Sequence, residues 1–200
     1  MDTQTLSGLN IAVLLTDGFE QVEFTQPRAA LEQQGALIKI VSDKQDKVQG
    51  FHHHAPADQF DVDLTFGEAD PKDFDALLLP GGEKNGNAMR NMAEAQRFVR
   101  AINEDGKPIA AICHGGWVLT TTGLAEGRTL TSWPSLQEDF RKAGGNWVDQ
   151  EVVVDGNLVT SRKPDDLPAF NQKMCEVLSM WIRGNTRGTH DEHSGVGLSG

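Results

Sequence analysis

The sequence predicts an α/β fold, a mostly parallel sheet covered by helices on both faces with an accessory β-hairpin beside it. Three observations predict it. Short, nearly uninterrupted apolar runs (NIAVLL at 10–15, FDALLL at 74–79, PIAAI at 108–112) read as strands buried on both faces. Longer amphipathic stretches separate these runs, the βα alternation of a parallel sheet. Gly and Pro close the runs, as at Pro80-Gly81-Gly82. The 200 residues suffice for one domain with a real core.

Taken in order, Asn10 to Leu15 is the first strand. Gln21 to Gln34 follows as a helix with Val22, Pro27, Ala30 and Leu31 at roughly helical spacing, Pro27 disturbing its middle and Gly35 closing it. Ala36 to Val41 alternates as a strand, and Phe74 to Leu79 is a buried one. Asn91 to Asn103 reads as a helix, Pro108 to Ile112 as a strand, and Gly115 to Thr122 as the helix after it. Pro134 to Ala143 is helical, Glu151 to Val154 and Leu158 to Thr160 form a hairpin around Asp155-Gly156-Asn157, and Leu167 to Ile182 is a long closing helix. Residues 184–200 lack apolar periodicity and are expected to be a mobile tail beyond a single domain over 1–183. No internal repeat or second domain is visible.

Composition narrows the partners. A formal net charge of -11 repels a phosphate backbone, so direct nucleic-acid binding is not expected. No stretch approaches a membrane span, and the start lacks a basic segment followed by an apolar one, so the cytoplasm is the expected location. Cys113 and Cys175 are far apart and expected to be free thiols, with no CxxC pairing to suggest zinc. His52, His53 and His54 are adjacent, and neighbours on a strand face opposite ways, so a surface strand or loop is expected there rather than a metal site.

The chemistry centres on AAICHGG at 110–116, where an apolar strand ends in Cys113-His114 and two glycines. Catalysis in open parallel sheets gathers at the carboxyl ends of strands. Unpaired N–H groups at the start of the following helix favour an anion, hence a thiolate, the nucleophilic form of cysteine. Gly115 and Gly116 permit the sharp turn. The N–H after the nucleophile, that of His114, supplies one oxyanion donor, and Gly82 in the loop after a neighbouring strand supplies a second. Buried cysteine is common, and the Cys-His pair alone says little; strand, pair and glycines together favour a nucleophile. Glu20 and Glu23 follow the first strand, three residues apart on one helix face, so one or both can point at the thiol. They serve equally as complements to the helix dipole. Cys175, in an amphipathic helix, is expected to pack.

The segments FEQVEFTQP, FDALLLPGG, KPIAAICHG, QEVVVDGNLVTSR and PDDLPAFN resemble the PfpI intracellular protease family, over residues 9 to 183. That family shares a superfamily with the Parkinsonism-associated deglycase and the class-I glutamine amidotransferases. The resemblance implies a flavodoxin-like three-layer sandwich, Cys113 as nucleophile at an elbow with His114 beside it, and homodimers or larger rings. It also implies that Glu23 hydrogen-bonds the cysteine and stabilises its sulfinate, with Glu20 a second family acid, and that no cofactor is required.

The sequence departs from the family at two places. The family triad takes a glutamate from a neighbouring subunit in the loop after Pro-Gly-Gly; here Gly86 or Asn87 holds that position, with Glu83 as a substitute. Gly116-Trp117 replaces the usual Pro-Gln, and Trp117 either narrows the pocket or packs on its helix. The amidotransferase His-x-Glu pair has only His190-Asp191-Glu192 to match it, in the expected tail. The resemblance therefore implies a stress-protective cysteine hydrolase acting on small carbonyl or glycated substrates, or on peptides. The competing reading is a redox sensor whose Cys113 oxidises to sulfinic acid without turnover.

Overall fold

The computed structural model describes residues 5–191, with side chains through residue 186. The chain begins with β1 (Asn10–Leu14), a short β2 (Phe19–Glu20), α1 (Val22–Gln33) and β3 (Leu37–Ser42). A hairpin of β4 (Lys47–His52) and β5 (Ala55–Asp61) comes next, then β6 (Leu64–Thr65) and β7 (Ala76–Leu79). Helices α2 (Glu83–Asn91) and α3 (Ala93–Glu104) lead to β8 (Ile109–Ile112), a 3-10 turn over Cys113–Trp117 and the short α4 (Val118–Thr121). The remainder is β9 (Thr129–Leu130), α5 (Gln137–Lys142), β10 (Asn146–Trp147), β11 (Val152–Asp155), β12 (Leu158–Ser161) and α6 (Leu167–Asp191).

The main sheet has strand order β11-β12-β8-β7-β1-β3-β6. It is parallel throughout except for the β11–β12 hairpin. Successive strand residues alternate faces, which divides the core in two. Ile11, Val13, Leu78, Ala110 and Ile112 meet Phe24 and Leu31 of α1 and Phe170 and Met174 of α6. Ala12, Leu14, Leu77, Leu79 and Ala111 face Phe98, Val99 and Ile102 of α3. Helix α3 forms because Ala95, Phe98, Val99 and Ile102 recur at three- and four-residue spacing and bury one stripe. This three-layer sandwich is the expected architecture, and Cys113 sits where β8, an interior strand beside the central β7, ends.

Several local expectations change. The segment after Pro80-Gly81-Gly82, expected as a loop, is helix α2, and the helix expected from Asn91 begins at Ala93. The helix after Cys113 is a 3-10 turn and one short α-helical segment, so its dipole is smaller than a full helix would give. Pro27 lies buried inside an unbroken α1. Helix α6 runs past Ile182 to Asp191, so 184–191 is helical where a tail was expected; the rest of that tail lies outside the described residues.

Candidate active site

The site is brought together by the ends of β7 and β8, β2 with the first turn of α1, the start of α2, the tip of the β4–β5 hairpin and the segment after β9 that carries Trp133. They enclose a cleft of about 680 Å³, lined by Glu20, Glu23, Gly82, Cys113, His114 and Trp133 among others. The elbow is real in its backbone. Cys113 has φ 61°, the left-handed region that costs a non-glycine residue about 1–2 kcal/mol. The strain lifts the side chain off the strand axis toward the cleft, as nucleophile elbows require. Gly115 has no room for a Cβ, which would run into the carbonyls of Leu79 and Pro80.

Glu23 is fully buried, and its Oε2 accepts the Gly81 N–H at 2.8 Å. Burial pushes this carboxyl from the ordinary 4.5 up to about 8; the neighbouring charge of Glu20 adds to the rise, while the bonds with Cys113 and Gly81 oppose it. Burial therefore favours the protonated acid at neutral pH. Burial also pushes the Cys113 thiol well above its ordinary value, with a negative Glu23 adding to the rise. The sequence had suggested a stabilised thiolate; the short helix and the apolar surroundings reverse that balance. The backbone N–H groups of His114 and Gly82 both act on the sulfur in the opposite sense. These are the two groups expected as oxyanion donors. Protonation of Glu23 removes the like-charge repulsion and turns the carboxyl into a donor toward sulfur.

His114 Nδ1 lies 3.3 Å from Cys113 Sγ. Burial lowers the pKa of the imidazole below its usual 6.5, against a pull upward from Glu83, so the ring is neutral at pH 7 and able to accept a proton. Glu20 lies on β2 rather than beside Glu23 on one helix face, yet reaches the same cleft, where its carboxylate accepts the His53 N–H at 3.1 Å. His53 and His54 form the hairpin turn and line the cleft, while His52 ends β4. Among the described residues, no group of three or more His, Cys, Asp or Glu side chains could hold a metal ion.

Trp117 does not line the cleft. Its indole N–H donates to Asp139 at 2.9 Å and the Arg90 guanidinium lies 3.9 Å over its ring, so helical geometry turns it into packing behind His114. Trp133 does line the cleft: its ring stacks on His114 with centroids 5.7 Å apart and its backbone N–H donates to the Cys113 carbonyl. Of the two residues expected at the family acid's position, Gly86 presses on the His114 carbonyl, where a Cβ would collide, and Asn87 lines the cleft, as does Glu83. Cys175 is half-buried beside the α6 core, as expected.

Asn85 escaped the sequence reading. It is 1% exposed; its amide donates to the carbonyls of Pro80 and Gly81, and its Oδ1 accepts the Thr16 N–H at 2.9 Å. An Asn three residues after Pro-Gly-Gly was the available signal. Asn85→Ala leaves the Thr16 N–H and the Pro80 carbonyl without this partner, while the Gly81 carbonyl keeps the Glu20 N–H, and is expected to cost about 2–4 kcal/mol, read as a lower urea midpoint.

Glu23 yields a second expectation. Its folded-state pKa is raised, so the stability tied to it is fully present below about 4.5 and is lost as pH climbs to about 8. At about 1.4 kcal/mol per unit this amounts to a few kcal/mol. Urea midpoints of the wild type are expected to fall across that window, and those of Glu23→Gln to stay flatter.

Comparison with known proteins identifies the family. The DJ-1/PfpI family pattern matches residues 9–177, most of the chain. The chain belongs to the DJ-1/PfpI family. Among its relatives, a deglycase of Thermococcus kodakarensis is 38% identical over 170 residues, covering 85% of this chain and 99% of that protein. The deglycase PfpI of Pyrococcus furiosus is 38% identical with the same coverage. YraA of Bacillus subtilis, named as a candidate cysteine protease, is 41% identical over 169 residues, 84% of this chain and 97% of its own. The crystal structure of Drosophila melanogaster DJ-1beta superposes with a TM-score of 0.78 at 30% identity, covering 92% of this chain and 98% of that one. For this DJ-1/PfpI member the flavodoxin-like fold read from the sequence holds. Among the described residues, no helix is long and apolar enough to cross a membrane.

Proposed function

We propose that this protein is a cysteine-dependent hydrolase of small reactive carbonyls and their adducts, with Cys113 as nucleophile. The observation that carries the reading is a thiol with an imidazole 3.3 Å away and a fully buried carboxyl beside it, all lining one open cleft, where burial favours the neutral form of both partners. One group accepts a proton and the other gives one, the division of labour that carbonyl addition needs. His114 takes the thiol proton as sulfur attacks the aldehyde carbon of an α-oxoaldehyde. The carbonyl oxygen, drawing on the His114 and Gly82 N–H groups, receives the Glu23 proton, giving a hemithioacetal.

Moving the aldehyde hydrogen to the adjacent carbon, with His114 and Glu23 as proton carriers, gives a 2-hydroxy thioester. Water then adds and restores the thiol, so one α-oxoaldehyde and one water give one 2-hydroxy acid. The deglycase names of relatives support this class, and the protease name of YraA makes peptides the second substrate class to test. Cytoplasmic stress protection and assembly as a homo-oligomer enter this reading on the family resemblance alone.

The test is hydrolysis of methylglyoxal-modified N-acetylcysteine and N-acetylarginine, corrected for free methylglyoxal, beside a peptide amide. Faster turnover of the adducts than of the peptide is expected. Peptide cleavage with inert adducts would overturn it.

One observation favours the redox reading as well. Glu23 Oε1 is buried without a partner beside a sulfur that faces two N–H groups. Two equivalents of peroxide would convert the thiol to sulfinic acid, releasing two waters, and the new oxygens would meet those donors.

A further inference from the structure

The cleft continues past the site into a second lobe of about 350 Å³, lined by Val22, His52, Lys163 and Asp165. Glu20, His53, Trp133 and Pro164 line both lobes and so form the passage between them. Trp133 is 37% exposed, unusual for so large an apolar side chain, and one ring stacks on the imidazole beside the thiol. Its backbone is tied to the Cys113 carbonyl, which fixes the indole relative to the sulfur. The indole N–H groups of Trp117 and Trp147 are both hydrogen-bonded inside the protein, to Asp139 and Ser132. Trp133 presents its surface to the cleft instead.

The lobe's charges largely cancel. Lys163 pairs with Asp165 at 3.8 Å, and Glu20 is engaged by the His53 N–H. What the passage offers a ligand is flat apolar surface, an indole and a proline ring, immediately next to the nucleophile. A carbonyl carbon at Cys113 would direct its substituent along this surface. Aromatic substituents gain about 0.5–1.5 kcal/mol from such ring contacts beyond the area they bury.

We infer that Trp133 is the specificity-determining residue of the site, and that it selects carbonyl compounds bearing a flat aromatic or conjugated substituent over those bearing a methyl group. This rests on the reading of Cys113 as a nucleophile toward carbonyl compounds, so the test separates the two. Cys113 is alkylated stoichiometrically with 2-bromoacetophenone and with bromoacetone: the C–S bond forms, bromide leaves, and no turnover is needed. Labelling of each cysteine is followed by peptide mass spectrometry, with the reagents' intrinsic ratio taken from N-acetylcysteine.

The expected result is a preference for the phenyl reagent at Cys113 about tenfold above the intrinsic ratio, retained in Trp133→Phe and lost in Trp133→Ala. Turnover of phenylglyoxal and methylglyoxal should show the same pattern in kcat/KM. A ratio at Cys113 equal to the intrinsic one, or one unchanged in Trp133→Ala, overturns the inference. So does an equal fall for both reagents in Trp133→Ala, which would mean that the indole merely positions His114. A labelling preference without turnover of either glyoxal would uphold the role of Trp133 and sink the enzymatic reading alone.

Discussion

Gly81→Ala is expected to cost about 3–5 kcal/mol and to disable the site in whatever fraction still folds. The cause is space. A Cβ on residue 81 would run into Glu23 Oε2 and come within 2.7 Å of Cys113 Cβ and 2.9 Å of the Ile112 carbonyl. None of these neighbours can yield cheaply: Glu23 is fully buried and bonded to the Gly81 N–H, while Cys113 is fixed in the strained elbow. Moving Glu23 away also leaves a carboxyl without its one backbone donor in an apolar pocket. Gly116→Ala is the control inside the same motif. Its Cβ would meet Phe140 at 3.6 Å and Ala111 at 3.7 Å, ordinary contacts, so a change within about 0.5 kcal/mol is expected. Urea denaturation of both variants checks the contrast.

Cys113→Ser should lower turnover by at least about a thousandfold while leaving stability within about 1 kcal/mol. Serine keeps the elbow geometry and nearly the same volume. Its hydroxyl is far less acidic than the thiol, and His114, neutral and partly buried, is too weak a base to activate it. The pairing of a large kinetic effect with a small stability effect separates a reacting group from a core residue, since Cys113 also packs in the α1–α6 core. Cys175→Ser in the same assay should leave activity unchanged, because that thiol lies on α6 outside the cleft.

What the sequence disclosed was local. The runs at 10–14, 76–79 and 109–112 are apolar on both faces, so burial alone marks them as strands. The elbow was legible because Cys113, His114 and Gly115 follow one such run directly, and Glu23 and Gly82 each follow another. The hidden parts depend on distant contacts. Helix α2 is written EKNGNAMRN, whose three Asn and one Gly are poor helix formers; Asn85 bonding to three backbone groups and Gly86 pressing on the His114 carbonyl hold it. The β4–β5 hairpin is largely polar and exposed, so no alternation announced that it would carry His53 and His54 into the cleft.

The two tryptophans show the same limit. Trp117 is near Cys113 in sequence, but the turn between them rotates it toward Arg90 and Asp139. Trp133 arrives from another segment and is secured by a backbone bond that no spacing rule encodes. Glu20 and Glu23 converge because β2 pairs with β4 and α1 starts beside Gly81, rather than by sharing a helix face.

The most direct measurement is multiple-turnover formation of lactate from methylglyoxal by the wild type and by Cys113→Ser. The account predicts many lactate molecules per wild-type chain and none above buffer from the variant. No lactate from the wild type, together with rapid peroxide oxidation of Cys113 to the sulfinate, would contradict it and leave a redox role for the same three residues, Cys113, His114 and Glu23.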